Sequence, residues 1–216
     1  SGDRIRHELE LIFREEEPER ALCRLDELGA LVQIHPELRC DNWLEAKYHI
    51  LRESLEPAVW QLEPEDTHFV HLALLAYRLN EKATRALSKR LKVKREVEED
   101  LLLVESLRQN LSKLAELDRT SSIYHLLKPY PARVLAVIWV ASETASVRER
   151  ALRYQTDWRV VEPEITGDDL KAMGLDPGPL FGDLLKMLRD ARLDGMVSTR
   201  EEEMAFLEEV LASRHE

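Results

Sequence analysis

The residues that could do chemistry are few, and their spacing argues against catalysis. Cys23 and Cys40 form no C-x-x-C pair, so nothing suggests a zinc site, and two cysteines are too few for a disulfide framework. Two reduced thiols are expected. His68 and His71 stand three apart, on one predicted helix. Metal-dependent phosphohydrolysis of the His-Asp type would need an H…HD…D set, and the chain has no His-Asp dipeptide. These histidines are therefore read as packed or solvent-facing. Asp168 and Asp169 are adjacent acids, and two-metal phosphoryl transfer does need paired carboxylates. They open a predicted helix, however, and read as cap and structure. No serine sits in a nucleophile elbow. The expectation is no catalytic residue and no metal ligand.

Binding chemistry is better represented. The run TRALSKRLKVKR, residues 84–95, holds six positive residues and no acid. On a helix, Arg85, Lys89, Lys92 and also Arg95 can share a face. Such a face is either simply solvated or placed against phosphates. A second set, Lys171, Lys186, Arg189 and Arg192, lies in residues 166–195, where six acids oppose these four bases. Contact there must be local and must also use backbone N–H groups. Gly178 and Gly182 stand four apart on one predicted helix face. That bare stripe admits either a packed helix or a sugar–phosphate strand, and a helix N-terminus is itself an anion site. Trp43, Trp60, Trp139 and Trp158 are scattered, as core or junction residues are, and form no base-stacking platform.

The elements that must position these groups are helical throughout. Glycine is scarce, at 7 of 216 residues, and helix formers dominate, which excludes a sandwich, barrel or Rossmann domain. Helices are predicted over 3–15, from Pro18 to a stop at Gly29, over 41–56 ending at Pro57, and from Pro64 to Asn80. Further helices span 81–91, 94–114, the stretch capped by Thr120-Ser121-Ser122, and 143–157. Pro131 opens the most apolar one, ARVLAVIWVA, which belongs at the centre. Trp158–Ile165 reads as an extended linker. Three tail helices follow. Gly174 stops the first, Pro177 opens the second at its N1 position and Gly195 ends it, and Ser198-Thr199 cap the third. The last few residues are expected to fray. The fold class is all-α, a multi-helix bundle of about ten helices with a small helical tail. No apolar run is long enough to span a membrane, so no membrane partner is expected. The opening Ser1-Gly2 suggests a piece of a longer protein. A net charge of −11 argues against nucleic acid in bulk, but where the cations lie decides that point.

The string ITGDDLKAMGLDPGPLFGDLLKMLRDARLDGMVSTREEE, residues 165–203, resembles the tail of class II tRNA nucleotidyltransferases. The matching positions are Ile165, Thr166, Gly167, Asp169, Leu170, Gly174, Pro177, Gly178, Gly182 and Leu185, then Asp194-Gly195. Near the start, Arg4, Ile5, Glu8, Leu9, Leu25, Gly29, Leu31, Pro36, Glu37 and Leu38 fit the stretch leaving that family's neck, with Ala30 where Leu is commoner. Residues 43–157 are compatible with the family but not diagnostic.

The resemblance implies three parts: the end of the neck over 1–38, a helical body over 39–157 and a helical tail over 158–216. It implies a portion that grips the tRNA acceptor stem and reaches toward the elbow while a catalytic head extends the 3′ end. The candidate RNA contacts are Arg85, Lys89, Lys92, Lys171, Gly178, Lys186, Arg189 and Arg192. Arg4 and Arg6 would meet the neck or acceptor stem. The family's neck motif E-D-x-x-R is absent: Glu65-Asp66 is followed by Phe69 where the arginine would stand. No cofactor is expected in this chain, while Mg and ATP or CTP are implied for the head. The two cysteines, read as reduced thiols, lead to the expectation of a cytoplasmic protein, and the resemblance to that of one inactive as a nucleotidyltransferase without its head. The alternative is a helical protein–protein interaction or oligomerisation module of the same multidomain protein. An independent enzyme is the weakest reading.

Overall fold

The computed structural model describes residues 1–213; the expected fraying of 214–216 lies outside them. The described residues form α1 (Gly2–Ile12), α2 (Pro18–Glu27), α3 (Ala30–Ile34), α4 (Asn42–Ser54), α5 (Pro57–Trp60), α6 (Pro64–Ala76), α7 (Glu81–Leu91) and α8 (Arg95–Gln109). There follow α9 (Leu111–Glu116), α10 (Thr120–Leu127), α11 (Ala132–Ala141), α12 (Ala145–Thr156), a 3-10 turn (Trp158–Val160), α13 (Gly167–Ala172), α14 (Pro179–Leu193) and α15 (Arg200–Ser213). Among the described residues there is no strand, and none of these helices is long and apolar enough to cross a membrane. The all-α expectation holds. Eleven of the fifteen helices reach seven residues, close to the expected ten. The surplus is single turns: Pro57 starts α5 where it was expected only to stop α4, and Asn110 divides one predicted helix into α8 and α9.

The chain divides into two compact units, one of Ser1–Glu116 with Pro129–Thr156, the other of Leu117–Lys128 with the chain from Asp157 onward. In the first, α11 is apolar apart from Arg133 in its first turn and is therefore buried: Val134 through Ile138, Val140 and Ala141 all lie in the core. It packs against α4, α5, α6, α8 and α12. Helix α6 begins at Pro64 in N1, with a reciprocal Glu63–Asp66 capping box, and buries every residue from Phe69 to Ala76. Arg133 on α11 joins these elements. It donates to Asp66, Asp100 and Glu96, and its guanidinium lies 4.9 Å over the Phe69 ring.

The first unit corrects one expectation. Cys23 and Cys40 are not separate thiols but are joined in a disulfide. Gly29, at φ 69°, ends α2 in the left-handed region, and the chain doubles back through α3. This reversal returns Cys40 to α2, where its N–H also donates to Asp26 at 2.7 Å. Linear spacing of 17 residues does not reveal such a juxtaposition.

The second unit is built on a small core of Ile165, Leu170, Leu184, Leu188 and Leu207. Thr166 caps α13, reciprocated by Asp169, and Gly174 at φ 83° ends it. Helix α14 starts two residues later than expected. Pro179 takes N1, not Pro177, and Gly178 is the extended N-cap at φ 177°. Ser121 N–H and Oγ donate to the Asp194 carboxylate at 2.9 and 2.8 Å, which fixes α10 on α14.

Candidate nucleic-acid interface

The basic run occupies α7 and the turn into α8. Ala83, Leu87 and Leu91 point into the core, so Arg85 and Lys89, four apart, are left on the exposed face. Their situations differ. Arg85 is bound by Glu81 and Glu98, at 3.0 and 3.2 Å, whereas Lys89 has no ion-pair partner among the described residues. Lys92 does not continue the helix. It caps α7 in the left-handed region at φ 52° and reaches Asp3 Oδ2 at 2.7 Å, holding that carboxyl below its ordinary range. Arg6 donates to the carbonyls of Leu91 and Lys92, supplying acceptors at the α7 C-terminus with a cationic donor. Gly2 makes this approach possible, since a Cβ there would lie 2.2 Å from the Arg90 carbonyl oxygen. Replacing Arg6 by Ala is expected to cost about 1 kcal/mol, read as a lower urea midpoint for the first unit.

Two further cations join this surface, Lys94 from the basic run and Arg14, which no motif singles out. Arg14 and Lys94, both exposed and without ion-pair partners among the described residues, line a cleft of about 510 Å³ floored by Phe13, Phe69, Leu72 and Val97. Arg14 is masked in the sequence by three consecutive glutamates after it.

In the second unit the predicted residues again separate. Arg189 donates to the Val161 carbonyl and to Glu162, and lies 5.8 Å over the Tyr124 ring. Arg192 donates to Glu203, Glu164 and the Ser198 carbonyl. Both therefore tie the 161–165 stretch to α14. Lys171 pairs with Asp168 at 2.7 Å. Lys186 is exposed, with no ion-pair partner among the described residues. It lies one turn beyond Gly182, whose side-chain direction is open: a Cβ there would meet nothing within 4 Å. A Cβ on Gly178 would meet only the Asp176 carbonyl oxygen, at 4.0 Å. No other helix of the described residues uses this bare face. Asp169, one of the adjacent acids, is held down to about 2 by the Arg200 guanidinium and by the Thr166 N–H and hydroxyl, so its oxygens are occupied structurally.

Residues 1–41 match the family described as "Probable RNA and SrmB- binding site of polymerase A". The A-adding tRNA nucleotidyltransferase of Geobacter sulfurreducens is 31% identical over 217 aligned residues, spanning 94% of this chain and 24% of that protein. A solved Thermotoga maritima CCA-adding enzyme complexed with tRNA superimposes with a TM-score of 0.74 at 23% identity, over 99% of this chain and 52% of that one. A CCA-adding enzyme in an apo form gives 0.74 at 24% identity, over 99% and 50%. The chain thus spans about a quarter of the curated relative and about half of the solved ones. Its fold is that of a helical half of CCA-adding enzymes. With the match over residues 1–41 and the two sequence patterns, these likenesses support the C-terminal helical region of a class II tRNA nucleotidyltransferase family member.

Proposed function

We propose that this region grips tRNA at the acceptor stem and elbow, by shape and phosphate contacts, while the catalytic head of the same protein extends the 3′ end. The head would supply the Mg site and take ATP or CTP, in the cytoplasm. The observation that carries the reading is the RNA-binding family match over residues 1–41, which covers α1 and, just after it, Arg14 beside the cleft. It is supported by exposed cations with no carboxylate partner among the described residues: Lys89 and Lys94 in the first unit, Lys186 beside the bare Gly182 face in the second. A helical bundle meets A-form RNA through phosphates and 2′-OH groups, so recognition is by shape. With a net charge of −11, these local cations work against the field of the whole chain, and binding depends steeply on salt.

The test is fluorescence anisotropy of labelled tRNA titrated with the chain at two salt concentrations, with duplex DNA as control. Lys89→Glu and Lys186→Glu are the informative reversals because neither breaks an internal ion pair, unlike changes at Arg189 or Arg192. Each reversal is expected to weaken binding roughly 3–10-fold and to shallow the salt dependence by about one phosphate contact. Absence of saturable tRNA binding at low salt would sink the reading. A second reading, docking of a partner protein, draws on Leu28 and Val32, exposed at 64% and 36% within the segment whose family description also names SrmB.

A further inference from the structure

We propose that Cys23 and Cys40 are a reversible thiol–disulfide site that exchanges with low-molecular-weight disulfides. They are the chain's two cysteines. The fold brings them from α2 and from the loop before α4 to a Cα–Cα separation of 4.8 Å, inside the range a disulfide spans without backbone movement. Both residues are half-buried, so a small disulfide can reach them. The pair joins α2 to the chain that returns through α3, wholly within the segment matching the RNA-binding family.

The exchange balances as follows. One cysteine loses its proton, and its thiolate attacks a sulfur of oxidised glutathione. A mixed disulfide forms and one glutathione thiolate leaves. The second cysteine, deprotonated in turn, attacks the protein sulfur of that mixed disulfide. The 23–40 bond forms and the second glutathione leaves. The protein gives up two protons and two electrons, and two glutathione thiols carry them.

The surroundings set the pace. Glu45 Oε1 lies 3.4 Å from Cys23 Sγ, and both sulfurs and this carboxylate lie within 4.8 Å of one another. Asp26, which accepts the Cys40 N–H, adds a second carboxylate. Negative charge opposes a developing thiolate and repels an anionic disulfide such as glutathione. The site is therefore a slow exchanger, and Glu45, exposed at the start of α4, is its brake.

The experiment uses the full 216-residue chain, reduced and then incubated with oxidised glutathione. Intact mass, and melting with and without reductant, are followed. The expected product is a monomer lighter by two hydrogens, melting roughly 5–10 °C higher than the dithiol form. Cys23→Ser and Cys40→Ser should each stop at the mixed disulfide. Glu45→Gln should speed closure several-fold while leaving the melting temperatures of the two redox forms in the same order. Reduced thiols that persist, wild-type chain arrested as a glutathione adduct, or disulfide-linked dimers as the main product would each overturn the proposal. An unchanged rate in Glu45→Gln would remove its electrostatic part.

Discussion

Glu203→Ala is expected to lower the opening free energy of the second unit by about 3–5 kcal/mol. The Glu203 side chain on α15 has no solvent exposure, yet it is an acid. It is tolerated because three donors converge on it: the N–H groups of Glu164 and Ile165, at 3.2 and 2.8 Å, and the Arg192 guanidinium, at 2.5 Å. Truncation leaves the buried Ile165 N–H without an acceptor and Arg192 with one carboxylate fewer. Each buried donor left unpaired costs about 1–3 kcal/mol, and a broken buried ion pair costs more. Glu203→Gln keeps one acceptor oxygen and should cost roughly half as much. Hydrogen exchange read peptide by peptide is the suitable measurement, because it reports each unit separately. Faster exchange should be confined to peptides of the second unit, within 117–128 and 157–213, with those of α6 and α11 unchanged. Unaltered protection around Ile165 would show that the carboxylate does not hold this unit together.

The second large effect is on pH. His71 lies between the rings of Phe13, stacked at 5.4 Å, and Tyr48, tilted at 5.0 Å, and its Nδ1 is 2.8 Å from the Thr67 carbonyl. Burial strips water from the imidazolium and pushes the pKa down from 6.5 to about 4. In the unfolded chain the ring takes its proton near pH 6.5; in the folded protein it refuses one until about pH 4. Between these values the unfolded state binds more protons. Stability present in full above pH 6.5 is therefore lost as pH falls toward about 4, by up to ~3 kcal/mol. Urea unfolding of wild type and His71→Leu across this window isolates the contribution. The variant starts less stable at neutral pH, because it loses the ring stack and the Thr67 hydrogen bond, but its stability should decline less toward acid. Parallel curves would mean that His71 is not the group whose protonation is resisted.

The patterns by which the chain resembles class II tRNA nucleotidyltransferases turn out to be largely instructions for folding. Thr166 and Asp169 form a capping box, Gly174 takes a left-handed turn, and Asp194 anchors Ser121 of α10. They are legible in the sequence because caps and turns are local: a few neighbouring residues fix the backbone, and their types follow from that geometry. The same holds for the central place of α11, since a helix apolar apart from Arg133 has no face to give to water. The all-α class and most helix positions follow from composition and periodicity alone.

What the sequence does not carry is which charges and thiols are already spoken for. Arg85, Lys89 and Lys92 look equivalent in a basic run, yet Arg85 and Lys92 are bound to Glu81, Glu98 and Asp3, and Lys89 is not. Lys186, Arg189 and Arg192 lie at one helical spacing, but the two arginines fasten the 161–165 stretch, whereas the lysine has no ion-pair partner among the described residues. Cys23 and Cys40 read as separate thiols until α3 turns the chain back. Helical periodicity assigns a side chain to a face. Whether a partner waits there depends on residues as far as 89 positions away, and tertiary packing decides it.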